Sequence, residues 1–220
     1  MSSVLVLIGV FVISFLLGSI PWGLIISRVF YHTDIREHGS GNIGTTNAMR
    51  TMGKVGGGAV FLLDFGKGLL SGVIAMLALW YLVPGGGLAD ASGVTYAFML
   101  AAATTGCTLG HIFSPWLGFK GGKGIAVAVG CLFMSFGVVG ACVELAVFAV
   151  LVIATRYVSV GSIAAAVACP FIACVLYWGD WCAIACFLLT AIVVVWAHRG
   201  NIERLRAGCE RRIGDKKEEA

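Results

Sequence analysis

Charge is scarce in this chain. Asp, Glu, Lys and Arg make up 12% of the 220 residues, whereas soluble domains carry about 25%. Only four prolines are present, and no low-complexity stretch divides the sequence. These absences exclude a soluble globular protein and a chain of linked domains. Because 59% of the residues are hydrophobic, we predict one membrane-embedded domain over residues 1–220.

Several short motifs of soluble enzymes and metalloproteins are also missing. None of the eight cysteines forms a CxxC pair, so the sequence indicates neither a zinc site nor a redox dithiol. GxSxG and HExxH are absent, and no His is followed five residues later by Asp. His32 and His198 are followed at that distance by Glu37 and Glu203. The pattern therefore implies no metal and no cofactor.

Long apolar segments define the architecture, since a membrane-spanning helix needs roughly 20 apolar residues. The candidate spans cover residues 4–27, 58–83, 94–113, 125–137, 140–155, 159–178 and 181–198. No basic residue precedes the first segment and no small-residue cleavage site stands out, so we interpret it as a retained span and not as a signal peptide. Residues 125–155 fit either one long helix or a hairpin of two short helices that turns near Gly137 and Gly140.

The distribution of Lys and Arg selects between these alternatives. Apart from Lys67, every Lys and Arg lies in residues 28–54, in residues 114–124, at Arg156 or in the tail after His198. The connections near residues 84–92, 137–140 and 179–180 hold none. Because cytoplasmic loops are rich in Lys and Arg, this sorting requires an odd number of crossings and an outside N-terminus. We predict an all-α bundle of seven transmembrane helices, with a periplasmic N-terminus and a cytoplasmic C-terminus.

The first candidate site is the glycine-rich stretch GSGNIG at residues 39–44, which Thr45, Thr46, Asn47 and Arg50 follow. The letters fit GxGxxG, but a dinucleotide fold needs a preceding strand and a βαβ unit, and membrane spans flank this stretch. A flexible loop between helices is the plain alternative. The density of hydroxyl, amide and guanidinium donors favours an anion site instead.

The second candidate site is FKGGKG at residues 119–124. It differs from a Walker A loop because Gly124 stands where Ser or Thr is required. Gly121, Gly122 and Gly124 would let backbone N–H groups close around an oxyanion, and a helix from Ile125 would add its positive end. The plain alternative is a pair of lysines that anchors a helix at the cytoplasmic face.

A few polar residues lie at or inside the predicted spans. Asp64 and Lys67 stand three residues apart, either as a mutually neutralising pair or as part of the site. His198 and Asn201 share a helix face at the end of the last span, beside Arg199 and Arg204. We expect His111 to be an interfacial residue, and Glu144 has no assigned role.

Taken together, these motifs resemble the bacterial acyl-phosphate:glycerol-3-phosphate acyltransferase family (PlsY). The likeness extends over nearly the whole chain and is carried by several separated motifs. They are GSIPWG at 18–23, DIR at 34–36, GSGNIGTTNAMRTMG at 39–53, Asp64 with Lys67 and Gly68, Gly110 with His111, FKGGKG at 119–124, TRYVS at 155–159 and HRGNIERLRAGCE at 198–210.

The resemblance implies a monomeric seven-helix enzyme of the bacterial inner membrane with its active site at the cytoplasmic face. Its reaction would move a fatty acyl group from acyl phosphate to the 1-hydroxyl of sn-glycerol 3-phosphate and give lysophosphatidic acid and phosphate. Both substrates and membrane lipid would be the partners, and nucleic acid would not. The implied catalytic residues are Ser40, Arg50, Lys123 and His198. The implied substrate-binding residues are Gly41, Asn42, Thr46, Asn47, Gly121, Gly122, Gly124, Arg156 and Asn201.

Two other functions use some of the same residues. A membrane transporter of an organic phosphate would need the same cations and glycines, but also inverted repeats and helices broken at the midplane, and we find no internal repeat. A non-catalytic lipid-binding protein would not require His, Asn, Arg and Ser beside two anion sites.

Overall fold

The computed structural model describes residues 2–83 and 93–215, and all regular secondary structure within them is helical, as predicted. The predicted connection near residues 84–92 and the last five residues lie outside the described ranges. The α-helices are α1 (Ser3–Ser19), α2 (Trp22–Phe30), α3 (Thr45–Leu82), α4 (Tyr96–Ile112), α5 (Ile125–Ser135), α6 (Gly137–Thr155), α7 (Val158–Leu176), α8 (Trp181–Ala197) and α9 (Arg199–Arg206). Short 3-10 turns cover Ile35–Glu37 and Pro115–Leu117.

Five stretches of the described chain are long and apolar enough to cross a membrane. They are Ser3–Phe30, Thr45–Leu82, Tyr96–Leu117, Gly137–Thr155 and Val158–Leu176. The pair α8 and α9 would be a sixth, with a bend of 52° between its members. Helix α5 has only 11 residues, which gives about 16 Å, roughly half the thickness of a bilayer core. The predicted span 125–137 is therefore present as a helix but is short.

The choice between one helix and a hairpin over residues 125–155 is decided by the structure. Gly137 has φ of 67°, which breaks the helix between α5 and α6. Gly124, before α5, and Val158, after α6, line the same cavity. Since the two outer ends meet there, the chain turns back at Gly137, and α5 and α6 form the hairpin.

Close helix packing places the start of α5 against α3. A Cβ on Gly68 of α3 would overlap the Val127 carbonyl oxygen, and a Cβ on Gly130 of α5 would overlap the Phe65 carbonyl oxygen. The two backbones therefore touch at these glycines, as small residues at a helix interface allow. This contact fixes the position of the FKGGKG loop that precedes α5.

Helix α4 is the centre of the bundle, and most of it is buried. Thr105 Oγ1 lies 2.9 Å from Thr190 Oγ1 of α8, and Thr104 Oγ1 lies 2.9 Å from Ser135 Oγ of α5. These hydroxyl pairs tie α4 to two neighbours inside the apolar core. Its C-terminal end, at His111, reaches the cavity described next.

Candidate active site

A cavity of about 490 Å³ opens at one end of the bundle, where loops and helix ends converge. Nine predicted site residues line it: Ser40, Asn42, Thr46, Asn47, Arg50, Lys123, Gly124, His198 and Asn201. Its deeper wall is formed by Phe61, Ala126, Val129, Leu145, Phe148 and Ala165. Leu145 lies ten residues before the end of α6, so the cavity extends about 15 Å along that helix. One cavity thus joins a polar end to an apolar arm.

Asn47 organises the first glycine-rich loop. Its side chain is 2% exposed, and its Nδ2 donates to the carbonyl oxygens of Ile35, His38 and Asn42 at 3.1, 3.0 and 2.8 Å. Its Oδ1 accepts a hydrogen bond from the Ser40 amide at 2.9 Å. Both ends of the Asn47 amide are therefore engaged by backbone, and its contact with substrate stays a prediction. Its contacts place Ser40 and Asn42 on the cavity wall.

The second loop differs from the predicted anion nest. The Gly121 amide donates to the Ile112 carbonyl at 2.9 Å, and the Gly122 amide donates to the His111 carbonyl at 3.0 Å. Neither glycine lines the cavity, so their N–H groups are not directed at an anion there. A Cβ on Gly122 would overlap His111 Nε2. These two glycines let the loop lie flat on the end of α4, and Gly124 is the one that reaches the cavity.

Lys123 enters the cavity just before the N-terminus of α5. Burial lowers the pKa of its ammonium group to about 8, and nearby Arg204 and Arg50 lower it too, while Glu210 acts in the opposite direction. A cation that burial destabilises in this way is stabilised when an anion binds beside it. Gly124, with φ of 83°, caps α5 and leaves the positive end of that helix facing the same space.

His198 lies at the bend between α8 and α9 and is 2% exposed. Its Nδ1 is 2.8 Å from the Val194 carbonyl oxygen. Because a carbonyl only accepts, Nδ1 carries the proton, and in the neutral ring Nε2 is then the nitrogen with the available lone pair. The orientation of the ring is set by the helix to which it belongs.

Glu210 is a cavity residue to which no role was assigned from the sequence, although it ends the HRGNIERLRAGCE motif. Its Oε1 accepts a hydrogen bond from Asn201 Nδ2, and its Oε2 accepts one from Arg204 Nε, both at 2.6 Å. Burial raises the pKa of the Glu210 carboxyl, but contacts with Asn201, Ser159 and Arg204 outweigh burial and hold it below its usual value. An ionised carboxylate therefore joins α9 to the cavity wall.

Arg156 does not line the cavity, and its place at the substrate stays a prediction. Its carbonyl accepts from the Ile213 amide at 2.8 Å, and its guanidinium donates to the Ile213 carbonyl at 2.6 Å. Next to it, the Tyr157 hydroxyl accepts from Arg212 Nε at 2.9 Å. The C-terminal segment, residues 209–215, is thus clamped to the junction of α6 and α7. Gly41, the last of the predicted residues, does not line the cavity either.

Asp64, Lys67 and His111 form a buried cluster beside the cavity. Lys67 Nζ lies 2.8 Å from Asp64 Oδ1 and 3.0 Å from His111 Nδ1, and it donates to the Ile20 carbonyl at 2.9 Å. The predicted ion pair is therefore real, and it includes His111, which was expected to be only interfacial. Asp64 and His111 both line the cavity. The cluster ties the middle of α3 to the C-terminal end of α4.

The positive charge of Arg50, Lys123, Arg204 and Arg211 surrounds the polar end of the cavity. One carboxylate among them, Glu210, is already paired with Arg204. Such a surplus of cations around a partly buried space suits phosphate groups, which accept charge-assisted hydrogen bonds from Arg and Lys.

Comparison with known proteins shows which family this chain resembles. A family model described as glycerol-3-phosphate acyltransferase matches residues 8–208. A glycerol-3-phosphate acyltransferase of Maricaulis maris is 41% identical over 220 residues, which cover 100% of this chain and 93% of that protein. One from Thermosynechococcus vestitus is 38% identical over 208 residues and 92% of each chain.

Two solved structures have the same fold. The crystal structure of PlsY (YgiH), an integral membrane glycerol 3-phosphate acyltransferase, in its glycerol 3-phosphate form has a TM-score of 0.80 and 31% identity, and covers 94% of this chain and 96% of that one. Its lysophosphatidic acid form has a TM-score of 0.78 and 30% identity, with 94% and 95% covered. The likeness, together with the long apolar helices, makes this chain a multi-pass membrane protein.

Proposed function

The chain belongs to the glycerol-3-phosphate acyltransferase family, and from this premise we propose that it transfers a fatty acyl group to sn-glycerol 3-phosphate and produces lysophosphatidic acid. In the same proposal, acyl phosphate is the donor, the 1-hydroxyl is the acceptor and phosphate is released. The observation that carries it is the convergence of Arg50, Lys123 and His198 on one cavity with an apolar arm. The cations suit the phosphates of both substrates, and the arm suits an acyl chain.

The proposed reaction forms one ester bond and breaks one anhydride bond. The 1-hydroxyl oxygen attacks the carbonyl carbon of acyl phosphate, and the bond from that carbon to the phosphate oxygen breaks. The hydroxyl proton goes either to His198 Nε2, which the Val194 contact leaves available, or to the departing phosphate. Alignment of the two substrates supplies roughly 7–11 kcal/mol of the barrier reduction, and a positioned base contributes about 10²–10⁴-fold.

Each polar residue at the mouth of the cavity has a place in this scheme. Ser40, Arg50, Lys123, His198 and Asn201 bind glycerol 3-phosphate, with the guanidinium and the ammonium offsetting the repulsion between two anionic substrates. The phosphate of the donor lies near the positive, N-terminal end of α5, where backbone N–H groups bind it.

The membrane topology is part of the proposal. We infer seven crossings, with α5 as a short one, the N-terminus in the periplasm, and the cavity and C-terminus at the cytoplasmic face. The cationic residues of the cavity and Arg156 all lie at the same end of the bundle, which is the arrangement that the positive-inside rule favours. A C-terminal green fluorescent protein fusion is expected to fluoresce, and an alkaline phosphatase fusion at the same place is expected to be inactive. The opposite pair of results would reverse the topology.

The activity is tested with purified protein, palmitoyl phosphate and glycerol 3-phosphate. Equimolar release of phosphate and lysophosphatidic acid is expected, with palmitoyl coenzyme A in parallel as a donor that should not be used. If lysophosphatidic acid forms only with palmitoyl coenzyme A, then the coenzyme A ester is the donor and acyl phosphate is not. If neither donor reacts and vesicles containing the protein take up glycerol 3-phosphate, the transporter alternative is correct.

Two variants test the assignment of roles within the site. Arg50→Ala removes a binding cation and should mainly raise the KM for glycerol 3-phosphate. His198→Ala should mainly lower kcat, by about 10²–10⁴-fold if the ring accepts the proton. Lys54→Ala is the matched control, because Lys54 is an exposed cation near Arg50 that does not line the cavity. Equal, negligible effects of the first two changes would remove this assignment.

A further inference from the structure

A carboxyl group lies unpaired at the apolar arm of the cavity. Glu144 belongs to α6, lines the cavity and is 4% exposed. Within residues 2–83 and 93–215, its Oε2 has no hydrogen-bond partner. Glu144 lies eleven residues before the end of α6, so it is about 16 Å from the end where the arginines and Lys123 gather. It is a deep polar group with unused hydrogen-bonding capacity.

The surroundings of Glu144 are those of an acyl-chain site and not of a phosphate site. Leu145 and Phe148 follow it on α6, and Ala165 of α7 and Val129 of α5 also line the arm. Ser162 of α7 adds one hydroxyl to this wall. A carboxyl buried in such a place without a partner costs free energy. A ligand that supplies the missing hydrogen bond would recover that cost on binding.

Only one part of the proposed substrates would extend so far. The phosphates are held at the cationic end, and a second anion beside Glu144 would meet a carboxyl and an apolar wall. The acyl chain of the donor is the part that would enter the arm. The partner of Glu144 is therefore a polar substituent on that chain. A hydroxyl group both donates and accepts, so it pairs with a carboxyl in either protonation state.

We propose that Glu144 forms a polar subsite that selects acyl phosphates whose chain carries a hydroxyl group. This inference rests on the proposed function and specifies the class of donor. An unsubstituted chain leaves Oε2 unpaired, whereas a chain with a hydroxyl at the matching depth satisfies it. Sites built to hydrogen-bond a substrate hydroxyl discriminate strongly against analogues that lack it.

The test compares palmitoyl phosphate with a series of 16-carbon acyl phosphates that carry one hydroxyl at successive positions. For the unchanged protein, kcat/KM is expected to be about tenfold or more higher for at least one hydroxylated donor than for palmitoyl phosphate. Glu144→Gln keeps both hydrogen-bonding functions and should retain most of this preference. Glu144→Leu should abolish it and use palmitoyl phosphate at least as well as before. The KM for glycerol 3-phosphate should stay unchanged in both variants.

Thr190→Val is the matched control. Thr190 is a buried polar residue of a membrane helix that does not line the cavity, and its replacement should leave the donor ratio unchanged. Equal donor ratios for the unchanged protein and Glu144→Leu across the whole series would overturn the subsite. Turnover of palmitoyl phosphate by the unchanged protein reports the proposed function separately. The ratio of kcat/KM between hydroxylated donors and palmitoyl phosphate therefore tests the subsite alone. The acyltransferase proposal is contradicted only if no donor reacts.

Discussion

Asn201 and Glu210 are joined by a hydrogen bond of 2.6 Å from Nδ2 to Oε1, which closes the turn after α9. The second oxygen of the same carboxylate accepts from Arg204 at 2.6 Å. An amide whose Nδ2 is committed in this way presents its Oδ1 in a fixed direction, and that oxygen is available to accept a hydrogen bond. Glu210 thus positions two residues of the cavity wall without needing to touch the substrate.

We predict that Glu210→Gln weakens binding of glycerol 3-phosphate while the protein stays folded. A glutamine fills the same volume but carries one acceptor oxygen and no charge, so Arg204 loses its ionic partner and only one of the Asn201 and Arg204 donors keeps an acceptor. A positioned site that loosens in this way should lose about 10–100-fold in kcat/KM, mostly through KM. Steady-state kinetics at several acceptor concentrations measure the split.

A double-mutant cycle with Asn201→Ala checks the mechanism of this effect. If Glu210 acts through Asn201, its loss should cost little in the Asn201→Ala background. Additive losses would contradict the coupling. Glu37→Gln, at an exposed residue outside the cavity, provides the control for a lost carboxylate charge.

The parts of the fold that depend on local sequence were predictable. Hydropathy located the helices, and the placement of Lys and Arg favoured a hairpin over residues 125–155, which the turn at Gly137 confirms. The convergence of the two glycine-rich stretches and the His198 region on one cavity was also anticipated. The helices and the hairpin follow from runs of neighbouring residues, whereas the shared cavity was implied by the family resemblance.

The parts that depend on distant contacts were not predictable. The Gly122 amide was expected to face an anion, but the end of α4, eleven residues earlier, supplies a carbonyl that accepts it. The Arg156 guanidinium, for which the sequence predicts a substrate contact, donates to the carbonyl of residue 213. Glycine-rich and cationic motifs indicate that donors are present. Tertiary packing decides which acceptor each donor contacts, and the local sequence does not indicate that packing.

The pKa of about 8 at Lys123 predicts a pH limit on substrate binding. Below that value the ammonium group is charged and attracts the phosphate of glycerol 3-phosphate. As pH rises through about 8 the charge is lost, so kcat/KM for the acceptor should fall. The second ionisation of a phosphate monoester is complete well below this pH, with a pKa of about 6, and so does not cause the change. A pH profile of kcat/KM from 6.5 to 9.5 measures it.

Lys123→Arg separates this effect from other titrations. A guanidinium stays protonated throughout the range, so the variant should keep a flat profile up to pH 9.5 even if its activity is lower overall. A fall at the same pH in the variant would assign the ionisation to another group.

Gly122→Ala should disturb the FKGGKG loop through a steric clash with the His111 side chain. The added methyl group would overlap the His111 ring, so the loop or the ring must move. We expect a loss of about 1–3 kcal/mol in stability and a lower kcat/KM, measured by thermal unfolding in detergent and by kinetics. Gly58→Ala is the control, because its Cβ would enter open space.

A second change tests whether that steric contact is the cause. His111→Ala removes the ring and its contact with Lys67, and it should be harmful alone. In the double variant the methyl group has room, so the combined loss should be smaller than the sum of the two single losses. A combined loss equal to the sum would mean that Gly122 is needed for another reason.

Arg156→Gly is expected to loosen the C-terminal segment while it leaves the turn between α6 and α7 intact. Arg156 has φ of 63°, a left-handed conformation that glycine adopts without strain, so this change removes the guanidinium and its bond to Ile213 selectively. Hydrogen exchange of residues 209–215 should become faster, and the KM for glycerol 3-phosphate should rise because Glu210 and Arg211 belong to that segment. Tyr157→Phe removes only the acceptor of Arg212 and should have a smaller effect in the same direction. Faster exchange with an unchanged KM would show that the clamp does not act on the cavity.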